Sequence, residues 1–489
     1  MITLGLSKKT LTIHLALHWS VGVTILLSVL LFLGMNFSTQ LSVSLLCWAV
    51  VGLFVWCLIS WKLVTNSLFN PYVLFFIAIT LFNAGQAFLQ IINVNEYGIL
   101  AGMFSDQTIA KSLLLTLLCM YVMQLFALMT LFFVIGSQME KNGAPVSDHS
   151  ASLRFTGILL LAVAIFPTMN QWVSSVQVVL QSGYMGLYSG EAATGASNIN
   201  ALLASFLTPA IMFLLAGSKD KKWSLYLSLI LLVISSSILF FLGYRAIAVM
   251  PVAAYFWLYD QRIKKINRAV LLTFSAVFLL VLFPLIRAIR STTGEDKFSA
   301  GFIKDTYLSI ENPLFGIINE MGNSMFTLAH TIQLFPDVRN FDYGTSYLYA
   351  PLTFFPNFFW DIHPSMEHTY SNWLVWTVDP KVAARGGGYG FSAIAEGFAN
   401  FGWLAPLVMG IVATFLVITY TKSLHDPAKL AFTASFLSFF FIFARGESIF
   451  VARTLLWYAL IPYCLFLFVQ SVFRYKNAGV IKPRLRNTE

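Results

Sequence analysis

Arginines in unusual places carry the first chemical hint in this chain. Arg245 follows Phe-Leu-Gly-Tyr, Arg445 lies in Ala-Arg-Gly-Glu-Ser, Arg453 interrupts an apolar run, and Arg385 opens Arg-Gly-Gly-Gly-Tyr-Gly. Arg287 and Arg290 flank the end of another apolar run. A guanidinium is a rigid fork of donors that binds phosphate oxygens two at a time. A charge held at bilayer depth is costly unless it is paired or hydrated. Several such forks at one membrane face point to a phosphorylated lipid headgroup. For Arg287 and Arg290 the alternative is a snorkelling helix end. For Arg445 it is an ion pair with Glu447 or a neighbouring span.

Two carboxylates stand beside them. Glu320 lies in Asn-Glu-Met-Gly-Asn-Ser, and Glu396 lies in Ser-Ala-Ile-Ala-Glu-Gly-Phe-Ala-Asn. Ser392, Glu396 and Asn400 follow the i, i+4, i+8 spacing of one helix face. A polar stripe on so apolar a helix is expected to face a cavity. A carboxylic acid drawn out of water is a weaker acid, which suits proton transfer. The alternative for Glu396 is a structural partner of an arginine. His330 and His363 are weaker candidates, because a solitary histidine is more often structural. No histidine shows metal-ligand spacing.

The elements that hold these residues are set by composition. The chain is 58% apolar and 10% charged, with mean hydropathy +0.76, which excludes a soluble domain of 489 residues. A membrane span needs about 20 mostly apolar residues. An all-α polytopic protein is expected, with twelve spans near 18–37, 41–61, 71–92, 110–137, 154–175, 200–217, 223–242, 245–259, 269–286, 398–420, 430–444 and 449–472. Pro167, Pro209, Pro251 and Pro462 interrupt spans, which is tolerated where neighbours satisfy the freed backbone groups. Residues 1–286 form the first nine spans, 287–397 a large outer loop, and 398–489 the last three spans with a basic tail.

Alternate loops differ in charge. One set holds 19 of the 30 Lys and Arg residues against six acids, and the other holds 11 against 15. The positive-inside rule then puts both termini in the cytoplasm. The net charge of +9 reflects this excess and does not call for a nucleic-acid partner. Lys8 and Lys9 precede an apolar stretch too long for a cleaved signal, so a signal anchor is expected. Cys47, Cys57, Cys119 and Cys464 all fall within spans and read as buried thiols. The sequence has no internal repeat, P-loop or dinucleotide fingerprint, so energy from nucleotide hydrolysis is not expected.

Two outer loops are long. Residues 176–199 are rich in Gly and Ser, and residues 287–397 contain 11 acids with Trp360, Trp373 and Trp376. A loop of that length is usually functional or structured. Residues 308–335 have helical periodicity, with Leu314, Ile317, Ile318, Met321, Met325, Leu328, Ile332 and Phe335 near one face. Residues 348–364 are apolar but rich in proline, which suits the membrane interface. The loop is either a cap on the bundle or an aromatic and acidic surface for sugar rings.

Several segments together resemble the bacterial oligosaccharide repeat-unit polymerases of the Wzy family. They are Gly-Tyr-Arg at 243–245, Glu-Met-Gly-Asn-Ser at 320–324, Phe-Pro-Asn-Phe-Phe-Trp-Asp-Ile-His-Pro at 355–364, 386–402 from Gly-Gly-Gly to Asn-Phe-Gly, and Ala-Arg-Gly-Glu-Ser-Ile-Phe-Val-Ala-Arg at 444–453. Their order and the late large loop carry the resemblance across nearly the whole chain. It implies a bacterial inner-membrane glycosyltransferase acting at the periplasmic face on glycans linked to undecaprenyl diphosphate. No cofactor and no metal are expected, because no metal-binding constellation is evident and arginines can take the place of a divalent ion. Membrane lipids, a chain-length regulator and a flippase are the implied partners. On this reading Arg245, Arg445, Arg453 and Arg385 bind the diphosphate. Glu396, or else Glu320, is the base of an inverting transfer, by analogy with glycoside hydrolysis. Ser392, Asn400, Glu447, His330 and His363 are the expected substrate contacts. The Gly run 386–388 allows close backbone approach.

Two other readings share the membrane. An O-antigen ligase would use the same donor with a different acceptor. A flippase should carry charges along a path through the bundle and show repeated halves, whereas here the unusual charges gather at one face. A purely structural scaffold leaves the arginines at bilayer depth without a purpose.

Overall fold

A computed structural model describes residues 8–34, 39–138, 149–183, 186–187, 199–284, 300–308, 312–355 and 369–480. Among these residues the chain is helical, with no strand. The N-terminal helices are α1 (Lys8–Gly34), α2 (Thr39–Thr65), α3 (Pro71–Ile91), α4 (Asp106–Gln138) and α5 (Ser150–Ser182). The next are α6 (Ile199–Ala204), α7 (Leu207–Ala216), α8 (Lys222–Phe241), α9 (Arg245–Arg262) and α10 (Arg268–Val277). The large loop carries α11 (Ala300–Leu308), α12 (Pro313–Gly322), α13 (Met325–Leu334), α14 (Thr345–Tyr349), α15 (Tyr370–Val378) and α16 (Pro380–Ala384). The C-terminal part is α17 (Ala393–Phe401), α18 (Ala405–Ser423), α19 (Pro427–Phe440), α20 (Ser448–Thr454) and α21 (Ile461–Val480).

Ten helical segments among the described residues are long and apolar enough to cross a membrane. The expected eighth and ninth spans are present as α9 and α10 but differ in character. Helix α9 begins with Arg245, ends with Asp260, Gln261 and Arg262, and contains Pro251. Helix α10 is short and continues as a π turn at Phe278–Leu282. Both are helices, and neither is apolar enough over enough residues to stand with the ten.

Burial follows the logic of a lipid solvent. On α8, Ser224, Ser228, Ser235 and Ser236 are buried, while Trp223, Tyr226, Ile230 and Val233 are exposed. Lipid tails do not penalise an exposed aliphatic side chain, so small and polar residues pack helix against helix. Cys47, Cys57 and Cys119 are buried as expected. Cys464 instead lies exposed on α21, because it falls on that helix's outer side.

The bundle has two chemically different ends. At one end Arg154 pairs with Asp220 and donates to the Gly217 carbonyl at 2.7 Å. Nearby, Asp260 is buried and accepts from Lys265 at 3.0 Å, Arg268 at 3.2 Å and the Ile266 N–H at 2.9 Å. This is the lysine- and arginine-rich end. The large loop packs on the opposite end.

The expected long helix over 308–335 is broken into α12 and α13 at Asn323–Ser324. Its apolar face is kept in part. Ile317, Met325, Leu328 and Phe335 are buried, but Leu314 is half exposed. Two helices let α12 lie against α3 while α13 packs on α4.

Candidate functional site

Helix α3 sets the geometry. Asn70 caps its start by accepting from Val73 N–H at 3.1 Å, with Pro71 in the first turn. The helix is kinked at Ala84, whose φ of −139° and ψ of 16° are not helical. Asn83 beside it turns its side chain onto the backbone, donating from Nδ2 to the Ile79 carbonyl at 2.9 Å. A side chain inserted into the helix ladder is a recognised cause of such a kink. The kink exposes Gly85 to the loop. There the backbones of α3 and α12 meet, since a Cβ on Gly322 would stand 2.7 Å from the Gln86 nitrogen.

This contact puts Gln86 under α12. Gln86 is buried, and its Nε2 donates to Asn319 Oδ1 at 2.7 Å and Asn323 Oδ1 at 3.0 Å. Asn95 Nδ2 donates to the Gln86 carbonyl at 3.2 Å. A cleft of about 730 Å³ opens beside these amides. Glu320, Arg445, Glu96, Tyr97, Gly388 and Tyr389 also line it. The volume is within the usual range for a small-molecule site.

Of the residues read from the sequence, the cleft collects Glu320 and Arg445 directly. Arg445 is exposed there. Arg245 stands behind Glu320. It is buried at the start of α9, forms a two-pronged pair with both Glu320 oxygens, and lies 4.5 Å over the Phe283 ring. Residues expected to act separately, one on phosphate and one as a base, are thus joined. The Gly-rich segment forms the facing wall through Gly388 and Tyr389, flanked by Gly386 and Gly390 with φ of +75° and +73°. These angles favour glycine, and Gly390 lies close along the Arg445 backbone. Arg385 is exposed at the end of α16, just before that wall. Arg453 is partly buried on α20, away from the cleft lining.

Glu396 lies elsewhere. It is 1% exposed and accepts from Ser448 N–H at 2.7 Å, Ser448 Oγ at 2.6 Å and Ser346 Oγ at 2.9 Å. Asn400 donates to Ser346 Oγ at 2.8 Å and accepts from Gly344 N–H at 2.9 Å. Ser392 caps α17 and donates to Asn83 Oδ1 at 2.6 Å. The expected stripe is therefore kept only in part: Glu396 and Asn400 face the loop segment around α14 and the start of α20 instead of an open cavity, while Ser392, in an extended cap conformation, turns to Asn83 on α3. Its polar groups are satisfied by protein.

Glu447 is also structural in its contacts. It accepts the N–H groups of Tyr370 at 2.7 Å and Ser371 at 2.8 Å, and so caps α15. Burial raises its pKa, while those hydrogen bonds and Arg339 oppose the rise. His330 sits edge-on to Phe104 and Phe326, with ring centroids 4.7 and 4.4 Å away, and burial lowers its pKa. His363 lies outside the described residues, as do Arg287, Arg290 and most of the 355–364 segment.

Sequence reasoning missed the amides. Asn83 and Gln86 interrupt an apolar span three residues apart, and that pattern was the available signal. It also missed Arg339, which pairs with Asp342 at 2.7 Å and stacks on Tyr370 and Trp373 at 4.9 and 5.0 Å. A family model described as O-antigen polysaccharide polymerase Wzy matches residues 21–477. No curated protein and no solved structure matches the chain.

Proposed function

Because the chain belongs to the Wzy family of O-antigen polysaccharide polymerases, we propose that it joins lipid-diphosphate-linked repeat units in the cleft beside α3 and α12. The carrier is undecaprenyl diphosphate, and the reaction takes place at the periplasmic face of the bacterial inner membrane. The basic end of the bundle is then cytoplasmic, as are both termini.

The observation that carries this reading is the shared lining of the cleft, where Arg445 and the Arg245-bound Glu320 meet neutral amides and aromatic rings. The donor sugar is already activated by its diphosphate. When the bond from the anomeric carbon to the diphosphate oxygen breaks, its electron pair leaves with the phosphate. Arg445 stabilises that developing charge, with Arg385 closing from the loop. The acceptor hydroxyl attacks the anomeric carbon and gives its proton to Glu320. Arg245 grips both Glu320 oxygens and fixes the orientation of the carboxylate, so it acts as a positioning residue. We assign proton transfer to Glu320 and not to Glu396, whose oxygens are enclosed by Ser346 and Ser448.

Deletion in the native bacterium, followed by electrophoresis of its surface polysaccharide, tests the reading. Collapse of the ladder to core plus one repeat unit is expected, with failure of Arg445→Ala and Glu320→Gln to restore it. Long polymer retained on the lipid carrier would indicate a ligase. An unchanged ladder would refute the assignment.

A further inference from the structure

The amide group on the cleft wall has a defined polarity. Gln86 Nε2 spends its hydrogens on the carbonyl oxygens of Asn319 and Asn323, at 2.7 and 3.0 Å. A side-chain amide carries its oxygen and nitrogen on opposite sides. With both oxygens turned to Gln86, both Nδ2 groups turn away from it. Asn319 and Asn323 are exposed and line the cleft. Among the described residues neither Nδ2 donates to a protein acceptor.

We propose that Gln86 is a positioning residue that aims the Asn319 and Asn323 amide donors into the cleft, where they bind an acceptor oxygen of a sugar ring in the repeat unit. This rests on the polymerase reading and names residues of the same cleft that recognise the glycan. A neutral sugar oxygen fits better than a phosphate oxygen for an electrostatic reason. The amides carry no charge, and the carboxylates of Glu96 and Glu320 line the same cleft. An anion in this cleft is drawn to the Arg445 guanidinium and not to uncharged amides beside two carboxylates, whereas a hydroxyl or acyl oxygen binds such amides without that penalty. Tyr97, 81% exposed at the cleft rim, offers an open aromatic face to the same ring.

Substitution separates the donors from the packing. Asn323→Asp keeps the oxygen that accepts from Gln86 and removes the outward donor. Asn323→Met removes the donor without adding charge. Gln86→Glu replaces the buried donor with an acceptor, so the Asn319 and Asn323 amides turn over and present their oxygens to the cleft.

The probe is the free repeat-unit oligosaccharide, released from the bacterium's own polysaccharide and titrated onto purified protein in detergent. The lipid-linked unit is used in parallel for KM and kcat. Both Asn323 variants should weaken oligosaccharide binding about tenfold. KM should rise by a similar factor, with kcat and the unfolding midpoint near wild type. Gln86→Glu should weaken binding and raise KM in the same way, with a lower unfolding midpoint because it buries a carboxyl group. Undiminished binding in the Asn323 variants overturns the proposal. So does a loss confined to a prenyl diphosphate probe, which would make the amides a phosphate subsite. Donor-dependent oligosaccharide binding in a protein that forms no polymer would uphold the cradle and refute the polymerase reading.

Discussion

Gly85 and Gly322 meet backbone to backbone. A Cβ on Gly85 would stand 2.9 Å from Gly322 Cα, so neither position has room for a side chain. This contact seats a loop helix on a membrane helix and brings Asn319, Glu320 and Asn323 over Gln86. Gly322→Ala should force α12 outward and destabilise the protein by about 1–3 kcal/mol. Thermal unfolding in detergent measures the loss, and the polysaccharide ladder should shorten in parallel. A wild-type midpoint and ladder would show that the two helices separate freely.

The Arg245–Glu320 pair makes a different prediction. Arg245 is nearly enclosed, with its side chain 7% exposed, while Glu320 is 24% exposed towards the cleft. Removing Glu320 leaves a buried guanidinium without this partner. Breaking such a pair costs on the order of 3 kcal/mol. A double-mutant cycle of Arg245→Met and Glu320→Gln should recover part of that stability but none of the activity. Additive losses of stability would mean the two groups do not interact.

Glu396→Gln should behave as a structural lesion. The buried carboxylate accepts from Ser448 and Ser346, and one end of a glutamine amide cannot accept. Leaving a buried donor unsatisfied costs about 1–3 kcal/mol. The variant should therefore unfold earlier, with faster amide hydrogen exchange across residues 342–349. Full stability with abolished polymerisation would instead return Glu396 to the chemistry.

Glu447 gives a pH dependence. Burial raises its folded pKa above the ordinary carboxylate range. The native state therefore holds that proton more tightly than the unfolded chain. The resulting stability is fully present below the ordinary range and is lost as pH rises through the raised value. Unfolding midpoints between about pH 4 and pH 8 should fall more steeply in wild type than in Glu447→Gln. Parallel curves would contradict this.

The spans were legible because a lipid solvent imposes length and apolarity on each one separately. Arg245 was legible because an arginine beside an apolar helix is conspicuous. Its partner was not, since Glu320 lies 75 positions away and pairing across space leaves no mark in local spacing. The shared face of Glu396 and Asn400 followed from helical period, whereas Ser392 sits at the cap, where that period no longer holds. What covers that face depends on Ser346 and Ser448, which arrive from other elements. Gln86 was hidden for the opposite reason: the apolar residues around it identified the span and drew attention from the amide inside it.

The bonds to Glu396 also impose an order on assembly. Ser448 follows Glu396 by 52 positions, so its N–H and hydroxyl leave the ribosome well after the carboxylate they bind. Until then the segment around α14 has only part of its anchorage. A chain interrupted before α20 would carry nearly every cleft residue and still lack the latch that fixes its loop. The last membrane helix thus completes the anchorage of this segment, and a chain that stops short of it leaves Glu396 without two of its donors.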